Sequence, residues 1–114
     1  MSLVGTILVG LAMALGLIIV LLMTIPDDKM QRLCGRLGYV HGSAGLAGVL
    51  VMLGFGVASA YPNPTLTLLA LAVAAAIGVG MFFAYRVGKP PPPIVIALHA
   101  GAALLGFGLL TGAM

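Results

Sequence analysis

Two histidines, His41 and His99, are the only imidazoles of the chain, and each stands a few residues inside a long apolar stretch. Ionisable groups are costly in such surroundings, so each is a functional candidate whose partner has to be identified. Imidazole ligates zinc, copper, nickel and iron. A bare zinc ion takes three or four protein ligands, and no Asp, Glu or second Cys lies within the apolar stretches to complete such a set. Haem iron asks only for axial ligands, so two histidines suffice. With both axial positions filled, none is left for oxygen, which points to electron transfer rather than oxygenation. Cys34 is the single cysteine, which excludes both CxxCH attachment and an intrachain disulfide. The expected cofactor is therefore haem b, one per chain and bound noncovalently, with His41 and His99 as metal ligands.

The residues that follow the two histidines match at an offset of 58. His-Gly-Ser-Ala-Gly-Leu-Ala-Gly runs from His41 and His-Ala-Gly-Ala-Ala-Leu-Leu-Gly from His99. On a helix, positions three, four and seven beyond a residue share its face. Ala44, Gly45 and Gly48, and likewise Ala102, Ala103 and Gly106, thus form a strip of small side chains beside each imidazole, about 10 Å long at 1.5 Å per residue. Such a strip lets a flat macrocycle approach, and these six residues are the expected cofactor contacts. Small residues also bring membrane helices together without any cofactor. The match extends no further: the first and third apolar stretches show no convincing repeat of one another.

The elements that carry these residues follow from composition. The chain has 114 residues, 62% hydrophobic and 6% charged, with a mean hydropathy of +1.28, whereas charged residues make up about a quarter of a soluble domain. Four apolar stretches, at about 2–25, 37–60, 65–86 and 93–113, are each long enough to cross a bilayer as a helix. The first is read as a retained span, because it lacks a basic leader and a small-residue cleavage site. Pro26-Asp27-Asp28, Tyr61-Pro62-Asn63-Pro64 and Gly88-Lys89 with Pro90 to Pro93 punctuate the stretches. The four prolines form a stiff spacer whose last member suits the first position of the fourth helix.

All five basic residues, Lys29, Arg32, Arg36, Arg86 and Lys89, fall in the first and third connections. The positive-inside rule makes those connections cytoplasmic and places both termini on the non-cytoplasmic side, with Tyr39, Tyr61 and Tyr85 as interfacial aromatics. The expected fold is all-α, a single transmembrane four-helix up-down-up-down bundle covering 1–114, with the second and fourth helices on a diagonal. Both histidines then enter from the cytoplasmic side, about 6 and 9 Å deep at 1.5 Å per residue.

In helix layout and in the placing of His41 and His99, the chain resembles the membrane-embedded b-type cytochromes. The resemblance implies haem clamped between helices edge-on to the membrane. Members often carry two haems on four ligands, whereas this chain has ligands for one, so a transmembrane haem ladder is not expected of a single copy. Propionates would point to the cytoplasmic interface, where Arg36, five residues before His41, can pair a carboxylate. The carbonyls of Leu37 and Val95 and the Ser43 hydroxyl are the candidate partners for the second ring nitrogens.

A single haem near one leaflet fits an electron-transfer protein or cytochrome subunit, in the bacterial inner membrane, exchanging with quinol or a docked redox protein. The partners expected are the lipid bilayer and further copies or subunits, not nucleic acid. No catalytic motif is present, so a complete enzyme is not indicated. Two alternatives stand beside this reading: a light-harvesting protein with a bacteriochlorophyll on each histidine, and a cofactor-free structural subunit. An exporter is disfavoured, because Asp27 and Asp28, the only acids, lie in a connection.

Overall fold

The computed structural model describes residues 2–55 and 64–113. These form four helices: α1 Ser2–Met23, α2 Asp28–Phe55, α3 Pro64–Arg86 and α4 Pro93–Thr111, with no strand among the described residues. All four are long and apolar enough to cross a membrane, as expected of an integral membrane protein. The end of the expected second span, 56–60, and the turn residues 61–63 with Tyr61 lie outside the described residues.

Local chemistry sets the boundaries. Pro26 lacks a backbone N–H and stops α1, whose last turn closes with Thr24 N donating to Leu21 O and Ile25 N to Leu22 O. Asp27 then caps α2: its Oδ1 accepts the Lys29 amide at 2.9 Å. That cap explains why α2 begins at Asp28 rather than at the expected 37. The bilayer needs only about 20 residues, and the polar turns carrying Lys29, Arg32 and Arg36 continue the helix beyond them.

At the other ends glycine is required. Gly88 (φ 75) and Gly112 (φ 77) adopt the left-handed conformation that closes a helix. Around them Lys89 N donates to Ala84 O and Gly88 N to Tyr85 O, while Ala113 N donates to Gly108 O and Gly112 N to Leu109 O. Pro92 is extended (φ −65, ψ 155) and Pro93 opens α4.

α1 packs most extensively on α2, and α3 on α4; contacts between these two hairpins, α2 with α3 and α1 with α4, are sparser. Among the described residues no close backbone approach joins α1 to α3 or α2 to α4. Val9, Val49, Met52, Leu71 and Leu110 form the interior cluster, against which Met13, Leu68, Ala75 and Phe107 pack.

Candidate cofactor site

His41 comes from α2 and His99 from α4, helices whose backbones do not approach each other, yet their imidazole rings meet in the middle of the bundle. The ring centroids are 5.9 Å apart and the planes lie at 80°. Each ring is tied to the other helix of its own hairpin. His41 Nδ1 donates to the Ala12 carbonyl at 2.6 Å, and His99 Nδ1 to the Ala74 carbonyl at 2.8 Å. A carbonyl oxygen can only accept, so Nδ1 carries the proton and the lone pair is on Nε2. These bonds replace the expected partners. The Leu37 and Val95 carbonyls are four residues back on the histidine's own helix, and Ser43 is exposed; both rings reach across the hairpin instead.

Each ring rests against a glycine. A Cβ on Gly16 would lie 3.0 Å from His41 Cε1 and 3.3 Å from Nδ1; one on Gly78 would lie 3.0 and 3.4 Å from the same atoms of His99. Ala12 and Ala74, and Gly16 and Gly78, are related by an offset of 62. The first and third helices therefore do repeat one another, in the residues that seat the imidazoles.

The glycines of the two strips meet a neighbouring helix. A Cβ on Gly48 would come within 2.8 Å of Val9 Cγ2 and 3.2 Å of Leu8 Cβ, and one on Gly106 within 2.6 Å of Leu71 Cδ2. A Cβ on Gly45 would meet Ala12 Cβ at 3.5 Å. These glycines face the partner helix of their own hairpin, where they permit the close approach that brings Ala12 to His41 and Ala74 to His99. Ala44 is buried, and Ala102 and Ala103 are half-buried. Gly45, Gly48 and Gly106 thus pack helix against helix.

The bundle is packed unevenly on the two sides of the histidines. Every buried residue described is at or before 12 in α1, at or after 44 in α2, at or before 74 in α3, and at or after 106 in α4. Beyond the histidines, toward the 24–27 and 87–92 connections, no described side chain is buried. An open groove of about 450 Å³ lies in this region, lined by Ile77, Met81, Ala84 and Val95 with Lys89 and the prolines beside it; it does not include either histidine.

At the α2–α3 seam in this half, Arg86 Nη1 donates to the Tyr39 hydroxyl at 2.5 Å. Its guanidinium lies 5.8 Å from the Phe82 ring centre, and Phe82 meets Tyr39 edge-on at 5.3 Å. Arg36 is exposed on α2. The basic residue folded onto a seam between the hairpins is Arg86.

Chemically, each imidazole has its Nδ1 committed to the backbone and its Nε2 available to a metal. Among the described residues no third His, Cys, Asp or Glu joins the pair, so a bare ion would lack ligands. A metal held at about 2.0 Å by an imidazole on each side would place the ring centres roughly 6 Å apart, close to the 5.9 Å spacing here. Edge-on ring pairs also pack at about 4.5–7 Å with no metal between them. No protein-family model matches the chain, and no curated protein or solved structure matches it.

Proposed function

We propose that this chain is a membrane b-type cytochrome, or a cytochrome subunit, that transfers electrons through one haem b ligated by His41 and His99. The observation that carries the reading is the pair of imidazoles with centroids 5.9 Å apart, each with its second nitrogen fixed by a backbone carbonyl. The same spacing argues against a separate bacteriochlorophyll on each histidine. Two stacked macrocycles, each with its own metal–nitrogen bond of about 2 Å, would push the ring centres several ångströms further apart.

The group fits this chain's own residues in three respects. The two hairpins offer one ligand each, the seams between hairpins are less closely packed than the hairpins themselves, and the half of the bundle beyond the histidines has no tightly packed interior. Arg86 at the α2–α3 seam is better placed than Arg36 to pair a propionate carboxylate, with Tyr39 holding its guanidinium. When bound, haem would supply the one-electron couple; the protein's part is to hold two imidazoles and exclude water from between them. Gly45, Gly48 and Gly106 contribute by drawing each hairpin together, and Ala44, Ala102 and Ala103 keep the rest of each strip free of bulk.

The proposed topology is up-down-up-down. Contacts within the first hairpin run in opposite order along α1 and α2: Gly5 with Met52, Val9 with Gly48, Gly16 with His41, Ile19 with Cys34. With the basic turns cytoplasmic, both termini lie outside and the haem sits near the cytoplasmic leaflet of a bacterial inner membrane, within reach of quinol or a docked redox protein.

Absorption spectroscopy of protein purified from haem-replete cells tests the reading. A Soret band with visible bands that sharpen on dithionite reduction is expected; strong near-infrared bands would indicate bacteriochlorophyll, and a colourless protein that takes up no added haemin would indicate a structural subunit.

A further inference from the structure

The two histidine seats are built alike, with carbonyls and glycines supplied by α1 and α3, whose backbones do not approach each other among the described residues. In an α-helix the carbonyl of residue 12 already accepts the amide of residue 16, and that of residue 74 the amide of residue 78. An imidazole that donates to the same oxygen must approach over the side chain of the residue four further on. In both helices that residue is glycine, and in both a Cβ would stand 3.0 Å from the ring's Cε1. Glycines elsewhere in the bundle do not share this: a Cβ on Gly42 or Gly101 would meet nothing within 4 Å.

We propose that Gly16 and Gly78 are positioning residues for the metal ligands. By leaving a notch over the Ala12 and Ala74 carbonyls, they hold His41 and His99 with Nδ1 on the backbone, Nε2 as the ligating atom and the ring planes crossed. The proposal rests on the haem reading and deepens it. A methyl group at either glycine cannot be accommodated by sliding the ring away without lengthening its 2.6 or 2.8 Å bond to the carbonyl. The ring must then give by a few tenths of an ångström, which lengthens or tilts that bond, and its basicity toward the metal falls.

Crossed imidazole planes leave the two iron dπ orbitals nearly degenerate. A ferric haem so ligated gives a strongly anisotropic low-spin electron paramagnetic resonance signal with one large g value, whereas parallel planes give a rhombic signal. The test uses the purified haem-loaded protein. The wild type is expected to show the anisotropic signal. Gly16→Ala and Gly78→Ala are each expected to lower the largest g value, raise the midpoint potential and weaken haem retention by about tenfold, the lower end for an outer-shell partner. Gly42→Ala and Gly101→Ala are expected to leave all three unchanged.

Gly16→Ala and Gly78→Ala proteins with wild-type spectra and potentials would overturn the proposal while leaving the cytochrome reading intact. A rhombic wild-type signal would overturn it without any variant, so the test survives if the variants fail to fold. So would ¹⁵N-histidine spectra of the reduced wild type with Nδ1 deprotonated or metal-bound; the proposal expects Nδ1 protonated in both residues. Wild-type protein that takes up no haem overturns both readings, and haem content is measured first to separate that outcome from the others.

Discussion

Within the apolar spans, the two halves of this bundle on either side of the histidines are put together differently. On one side of the histidines, glycines let the helices of each hairpin meet, and Val9, Met52, Leu71 and Leu110 fill the interior, Met52 and Leu110 at 1% and 0% exposure. On the other side the helices carry Leu15, Ile77, Met81 and Val95, none of them buried. Hydrophobicity alone does not distinguish the ends, because lipid is as apolar as a core and exerts no force to bring helices together. Complementary shape does, and it is present at one end only. The histidine pair stands at the boundary between the two.

The comparison can be broken by substitution. Met52→Ala and Leu110→Ala remove the most buried side chains of the packed end and should each destabilise the protein by about 2–3 kcal/mol, by opening a cavity that lipid cannot fill; reversible unfolding in mixed micelles measures this. Gly106→Ala, whose methyl would press on Leu71 at 2.6 Å, should cost about 1–3 kcal/mol by overpacking in the same assay. At the open end, Met81→Ala should cost less than about 1 kcal/mol in haem-free protein, because a half-exposed side chain leaves little cavity. If it costs as much as Met52→Ala, the open end is packed after all. Smallest of all, Arg86→Gln should change haem-free stability by no more than about 0.5 kcal/mol, since the Arg86 contacts are exposed. Its effect should appear instead as a shift in the haem midpoint potential.

The four helices were legible because 20-residue apolar runs punctuated by Pro26, Pro64 and Pro90 to Pro93 admit little else. The early start of α2 was not, since residues 28–36 are polar and their helicity depends on the Asp27 cap, a feature that an apolar-length criterion passes over. The histidines could be singled out by their chemistry and by the matching residues after them. Their seats could not be found in the same way. The second and fourth helices repeat at an offset of 58, but Ala12 and Gly16 correspond to Ala74 and Gly78 at 62. The four-residue difference, about one helical turn, is taken up between Gly16 and His41, where the first hairpin carries the longer polar extension of α2. Alignment at one offset therefore pairs the wrong residues of α1 and α3. An alanine–glycine spacing of four includes both seats but recurs at Ala44–Gly48, Ala76–Gly80, Ala97–Gly101 and Ala102–Gly106, so it does not single them out. Small residues read the same way in a sequence whether they face a ligand or a neighbouring helix.

The most direct measurement of the central claim is haem content per chain, by pyridine haemochromogen, in wild type and in His41→Ala and His99→Ala proteins shown to retain their helical circular dichroism. One haem per chain in the wild type, lost in either variant, is the result expected of a single cofactor clamped from both sides. Haem content that survives the loss of one histidine, or a wild type that binds none, would contradict it.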